Sequence, residues 1–487
     1  MSPIRTFVFP NGFRLIYEKS TNVLPITSVN VFCDVGSVYE EPHLRGASHF
    51  IEHMCFKGTK KRPSAKEIFI EYDEIGADFN AFTMKRFTCY VFKCDSKHVN
   101  TSIEILGDMM LNSTFIPKEF EREHKVVIEE NLNNENDAED QIYIYNDKLL
   151  YVGSSFEHPV DDVSYHKKGS LSRDAVLEFY HKHYRPDNMI FSIVTDVSFD
   201  NIKKILLKSF FATVKKEIVT PVGKHVVMYR GLLSSIADIQ IIPLNNSIGT
   251  KSMLNYSRDW PSQDLTTGQS PVSNLGRFKL VKKRGVENIL FTTAFRVCGN
   301  DNNDKYRLDI LSNMLSGTMS GRIFMALREK TGLIYSSNID TNYYDAYGDF
   351  TIFTQTDADL IIHGAGGNTG KRGLIPMFVA LLNDLVKNGV TQRELEITKG
   401  FIKGNLLIEM EDINTQCEYN GTQMLMSNDK IIPYADIYKR CYANISVADI
   451  NNTIQKYIKR EHMCVCLLGE KLPSLNTVEK EFSKLRI

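Results

Sequence analysis

Gly46-Ala47-Ser48-His49-Phe50-Ile51-Glu52-His53-Met54-Cys55-Phe56-Lys57-Gly58-Thr59 is the stretch from which the rest of the chain can be read. On a helix, positions i, i+3 and i+4 share a face, so His49, Glu52 and His53 project together while Phe50, Ile51 and Met54 turn to the opposite side. Two imidazoles one turn apart can grip a zinc ion at about 2.0–2.1 Å each, and a carboxylate between them can reach water on the metal without being a ligand. The order inverts the His-Glu-x-x-His zinc motif. A zinc that does chemistry wants a third protein ligand and one open position. The best source is Arg122-Glu123-His124-Lys125-Val126-Val127-Ile128-Glu129-Glu130, an expected helix dense in carboxylates.

Outward from this helix, alternating runs at Ser28 to Cys33 and Thr88 to Lys93 predict strands, while Ala65 to Ile75 and Ile103 to Met110 carry apolar residues at helical spacing. Asn11-Gly12 between two apolar runs predicts an N-terminal β-hairpin, not a secretory or transit segment. Around Asn245 to Gly276, Asn, Ser, Thr, Gly, Pro and Gln crowd together and periodicity fades, which predicts a linker. Arg277 to Val297 then returns to strand composition and Lys305 to Leu315 to a helical pattern, so the second half opens as the first does.

A chain of 487 residues calls for two domains of roughly 200 residues each. With 58 basic and 59 acidic residues and a net charge of -1, nothing global favours nucleic acid or a membrane surface. No run of 18 apolar residues predicts a membrane span. The nine cysteines are scattered without a Cys-x-x-Cys pair, which argues against a disulfide framework and fits a reducing compartment.

These residues resemble the pitrilysin and insulinase-like zinc peptidases, particularly the shorter members typified by the β subunit of the mitochondrial processing peptidase, over most of the chain. In that family the third ligand is a glutamate at a set distance beyond the second histidine, with another glutamate seven residues before it. Glu130, with 76 residues between it and His53, and Glu123 match, and Glu129 is the wrong neighbour by spacing. Gly46 to Thr59 and Gly76-Ala77-Asp78-Phe79-Asn80-Ala81-Phe82-Thr83 are similar to the extended family signature. The likeness implies that Asn80, Ala81, Phe82 and Thr83 lead into an edge strand that pairs with extended substrate through backbone hydrogen bonds. Arg86 departs from the pattern, standing where the family usually has glutamate, and bears on substrate preference. His158-Pro159 and Phe179 to Asp196, with Tyr184, Pro186 and Asn188, match as structural segments. Leu327 to Tyr335 resembles the segment that relatives swing over the zinc from the other domain. There Arg328 would hold a substrate carbonyl or backbone and Tyr335 would stabilise an oxyanion, with Gly332 capping a helix end ahead of a strand near Tyr335.

The resemblance implies an α+β chain of two similar domains, each an antiparallel-rich mixed sheet covered by helices, enclosing a cleft. The expected division is 1–225 for the zinc-binding domain, 226–276 for an irregular connection, and 277–487 for a second domain completing the cleft. It implies a zinc endopeptidase acting on peptides or extended protein segments, with one zinc per chain held by His49, His53 and Glu130. Glu52 would be the general base, and Glu123 would orient a ligand. Relatives of this fold also serve as catalytically silent subunits or peptide-binding partners, and those usually lose ligands or the base. Family members of this length enclose substrate between two similar chains, so a homodimer or a heterodimer with a similar chain is expected. Glu135, Asp137, Glu139 and Asp140 raise a preference for basic peptides, against the simpler reading of a solvated acidic stretch. The cytoplasm or another reducing compartment is expected, with the mitochondrial matrix a second option for which no transit peptide is visible.

Overall fold

In the computed structural model of the protein the described residues are 4–162, 171–214, 225–229, 239–243, 277–345, 347–364, 372–427 and 431–486. They form two compact units, the first from Met1–Asn133, Gly153–Asn245 and Leu407–Asp436, the second from Asn134–Val152, Asn246–Leu406 and Ile437–Ile487. The expected single division near residues 226–276 therefore differs from the compact units at two places, where a segment of each half belongs with the other. Most of that expected connection lies outside the described residues.

The first unit is built on a sheet of β1 (Arg5–Val8), β2 (Arg14–Lys19), β3 (Ile26–Cys33), β4 (Asp78–Thr83), β5 (Thr88–Asp95) and β6 (Met189–Thr195), ordered β1-β2-β6-β3-β5-β4. Only β2 and β6 run parallel. β1 and β2 form the predicted hairpin, turned where Gly12 has a φ of 90°, a conformation that side chains with a Cβ resist. A separate ribbon pairs β7 (His225–Tyr229) with β8 (Ile239–Pro243). Helices α1 (Ala47–Cys55), α2 (Ala65–Glu74), α3 (Val99–Asn112) and α4 (Pro117–Asn136) follow the pattern read from the sequence. α1 packs on β4 and β5, and α3 packs on β5.

The next helix, α5 (Ala138–Leu150), does not join them. It packs in the second unit on β9 (Arg277–Lys282), β10 (Asn288–Cys298) and β13 (Met463–Gly469). With β11 (Ser337–Tyr343) and β12 (Tyr347–Asp357) these strands form a sheet ordered β11-β12-β10-β13-β9, in which only β13 and β9 are parallel. Setting β1 aside, both sheets place their strands in the order first, fifth, second, fourth, third, with the parallel pair between first and fifth. The duplication suggested by the two similar openings is thus present strand by strand.

α11 (Ile413–Met426) makes the reciprocal exchange and covers β3 and β6 of the first sheet. Its backbone comes close: the Ser192 hydroxyl donates to Cys417 O at 2.6 Å, and the Ser28 hydroxyl donates to Asn414 at 3.0 Å. β3 and β6 correspond to β10 and β13, so each half lends one helix to equivalent strands of the other. The remaining helices of eight residues or more are α6 (Arg173–His183) and α7 (Phe199–Lys208) in the first unit. In the second they are α8 (Asp304–Ser312), α9 (Leu374–Asn388), α10 (Gln392–Glu409, whose last residues are counted with the first unit), α12 (Val447–Tyr457) and α13 (Leu475–Phe482). All nine cysteines are free. Among the described residues no single helix is long and apolar enough to cross a membrane.

Candidate metal centre

α1 starts at Gly46, whose φ of 81° lies in the left-handed region, and no side chain of its own caps it. The buried Glu40 carboxylate takes the cap's place, accepting from the Gly46 N–H at 2.8 Å and the Ser48 N–H at 2.7 Å. Burial pushes the Glu40 carboxyl up to about 8, although these N–H groups pull the other way. Phe50, Ile51 and Met54 are fully buried, each contributing about 1.5–3 kcal/mol, and this pins the rear of the helix. His49, Glu52 and His53 are held on the other face.

α4 supplies the remaining groups. Glu123 and Glu130, seven residues and so about two turns apart, share one face of it. One donor atom each from His49, His53 and Glu130 all lie within 4.8 Å of one another. His53 Nε2 stands 3.2 Å from His49 Nε2 and 3.5 Å from Glu130 Oε2. Donors on a tetrahedral zinc with bonds of about 2.05 Å sit roughly 3.3 Å apart, so this set fits the ion in spacing as well as in kind. Among the described residues no other group of three such side chains comes together. Glu129, the neighbour excluded by spacing, is exposed.

Glu123 fixes which nitrogen of His53 faces the site. Its Oε1 is 2.9 Å from His53 Nδ1, so a proton on Nδ1 donated there leaves the Nε2 lone pair toward the other donors. Glu123 Oε2 also pairs with Lys57 Nζ at 2.8 Å. Burial would raise the Glu123 carboxyl, but the bonds from His53 and Lys57 outweigh it and hold it below the usual range. Burial would likewise lower His53, yet the Glu123 bond and the charges of Glu130 and Glu52 raise it. His49, lowered by burial and by the His53 charge, has a buried Nδ1 with no hydrogen-bond partner among the described residues.

Glu52 is buried, and burial raises its carboxyl above the usual range. The Thr83 hydroxyl donates to Glu52 Oε2 at 2.6 Å. The residues expected at an edge strand do lie on one, since β4 ends the sheet order. Their side chains differ in surroundings: Asn80 and Ala81 line a cavity with Glu52, Phe82 packs toward the core against Phe87, and Thr83 donates to Glu52. Thr83 thus acts on Glu52, beyond the substrate-binding part expected of it. Arg86 is buried, donates to Asp34 Oδ1 at 2.6 Å and lies 5.0 Å over the Tyr39 ring, so its side chain is occupied in packing. Asp137, from the acidic stretch, caps α5 by accepting from the Glu139 and Asp140 N–H groups. The Glu135 side chain lies outside the described set.

In the second unit Arg328 and Tyr335 are brought together, with the guanidinium 5.3 Å over the Tyr335 ring and 4.8 Å over Phe324. Arg328 lies in a π-helical turn, Phe324–Glu329, whose wider winding the helical reading of this segment did not anticipate. Gly332, at φ 62°, ends it by donating to Arg328 O. Tyr335 is 75% exposed. Sequence reasoning gave no role to Lys57 or Glu40. Lys57 stands four residues after His53, a spacing that could have flagged it, whereas nothing local marks Glu40.

A family model described as insulinase (peptidase family M16) matches residues 15–147, and one described as the peptidase M16 inactive domain matches residues 170–400. The chain belongs to peptidase family M16. Among M16 relatives it is similar to YmxG of Bacillus subtilis, named an uncharacterized zinc protease, at 28% identity over 424 residues, which cover 87% of this chain and 88% of that one. An uncharacterized zinc protease of Rickettsia felis is 27% identical over 431 residues, 88% of this chain and 89% of its own. The crystal structure of a protease from Helicobacter pylori shares the fold with a TM-score of 0.78 at 20% identity, covering 96% of this chain and all of that one.

Proposed function

We propose that the protein is a zinc-dependent endopeptidase that cleaves peptides or extended protein segments. The observation that carries this is the convergence of His49, His53 and Glu130 beside a buried carboxylate, Glu52, that is not needed as a ligand. Zinc bound by the three would act as a Lewis acid, acidifying a water molecule and polarising the scissile carbonyl. Glu52, with Oε2 held by Thr83, takes the proton of that water and returns it to the departing amine; its raised affinity for protons suits a base that must also act as an acid. Glu123 and Lys57 keep His53 in the ligating tautomer. β4, the edge strand of its sheet among the described residues, offers its outer backbone edge to an extended substrate. By the resemblance of Leu327 to Tyr335 to the family segment, Arg328 would hold substrate and Tyr335 would stabilise an oxyanion, roles that suit a guanidinium and an exposed phenol.

Glu52→Gln should retain zinc in equilibrium dialysis while hydrolysis of a mixed peptide library falls by roughly 10²–10⁴-fold. Tyr335→Phe should lower kcat by roughly 10²-fold or more. Unchanged turnover in Glu52→Gln would remove the mechanism. We further propose that the chain works as a dimer with itself or a similar chain. Native mass spectrometry together with an activity assay checks this, and full activity as a monomer would refute it.

A further inference from the structure

One frame grips α1 at two points. At its start the buried Glu40 spans the first turn, Oε2 accepting from the Gly46 N–H and Oε1 from the Ser48 N–H, next to His49. On its functional face the Thr83 hydroxyl donates to Glu52. Both gripping residues belong to one piece of joined backbone. Glu40 directly follows the 3-10 turn Ser37–Tyr39, and Thr83 ends β4 ahead of the turn 84–87. Hydrogen bonds join the two turns: Val38 N–H donates to Lys85 O at 3.0 Å, Ser37 N–H to Met84 O at 3.4 Å, and the Thr88 hydroxyl to Val35 O at 3.0 Å. Arg86 braces the joint, donating to Asp34 Oδ1 and lying over the Tyr39 ring.

The proposed chemistry gives Glu40 no part, yet a carboxyl at 2% exposure costs free energy unless its oxygens are matched. They are matched by N–H groups that the start of α1 leaves without a helical partner. We propose that Glu40 is a positioning residue for the metal centre, holding His49 in place against the frame that carries Thr83. The general base and one ligand are then registered by the same element, and through β4 the metal is registered to the edge strand. Arg86, buried in the joint, acts on the site by keeping the two turns together. The inference rests on the zinc-peptidase reading and adds the device that sets the geometry of its site. Glutamine is the informative substitution at residue 40. It matches glutamate in size but places an NH2 donor against an N–H donor, so the first turn of α1 must move.

The test measures zinc Kd by competition with a chromophoric chelator, the visible spectrum of the cobalt-substituted chain, which reports ligand geometry, and kcat and KM at saturating zinc. Glu40→Gln should weaken zinc binding by roughly 10–100-fold, change the intensity of the cobalt bands, and lower kcat with KM near wild type. Leu206→Ala, a buried deletion in α7 of the same unit, serves as the control for plain loss of stability. It should lower Tm while leaving Kd and the cobalt spectrum as in wild type. Arg86→Lys keeps the charge but loses the planar fork, and should shift Kd and spectrum in the same direction as Glu40→Gln by a smaller amount. Wild-type Kd and spectrum in Glu40→Gln would overturn the proposal, as would an equal shift in Leu206→Ala. If Glu40→Gln does not fold, Arg86→Lys decides by the same two measurements. These shifts in a chain that cleaves no peptide support the positioning role and sink the peptidase reading, whereas cleavage with kcat, Kd and spectrum unmoved in Glu40→Gln does the reverse.

Discussion

The hydroxyl of Thr83 illustrates how much one side chain can decide. It donates to Glu52 and pulls against the burial that raises this carboxyl. Thr83→Val removes the donor, so the Glu52 carboxyl should rise further, and a base must be ionised to accept a proton. The acidic limb of kcat/KM should therefore move to higher pH, with a loss of roughly 3–10-fold at its foot and little loss well above it. A pH–rate profile checks this, and a uniform loss at all pH values would contradict it. At this scale the sequence was legible where residues share one helix face: His49, Glu52 and His53 needed only the period of α1. Glu130 needed the family likeness, because nothing local says which carboxylate of α4 turns toward another helix. Glu40 was illegible, since its partners are backbone N–H groups, which leave no mark on composition. Arg86 was legible only as a departure from the family pattern; that its side chain is buried against Asp34 was not.

Among the elements, β3 shows where pattern reading stops. Alternation identified the strand, and an alternating strand ordinarily shows one face to water. Ser28, Asn30 and Phe32 lie on such a face, yet all three are fully buried under α11. The fit is close: a Cβ added to Gly421 of α11 would stand 2.1 Å from the Phe32 ring. Gly421→Ala should cost about 1–3 kcal/mol by overpacking, and Phe32→Leu in the same chain should recover part of it. Thermal denaturation of the two variants at fixed zinc concentration reads this, and an unchanged Tm for Gly421→Ala would show that α11 sits farther from the strand. Hydrophobic periodicity predicted the strands and helices themselves because burial acts on each locally. It carries no information on which sheet a helix covers.

For the whole molecule, the shared strand order and the reciprocal loan of α5 and α11 describe a duplicated architecture whose halves are not separable at one point in the sequence. The duplication was visible as two similar openings, whereas the exchange was not, since both helices look ordinary in composition. Native-state hydrogen exchange on the intact chain should show α11 amides opening with β3 and β6, and α5 amides with β10 and β13. Exchange of α11 in step with α10, its sequence neighbour, would count against the assignment. The loan also places a delay in the protein's synthesis. β6 completes the first sheet at Thr195, but the helix that covers it ends at Met426. At about 5–20 residues per second the ribosome needs roughly 10–50 s to bridge that interval. Throughout it Phe32 and its neighbours have no cover, so the nascent chain carries an aggregation hazard that the finished protein does not, and a need for chaperone protection is written into the order of its elements.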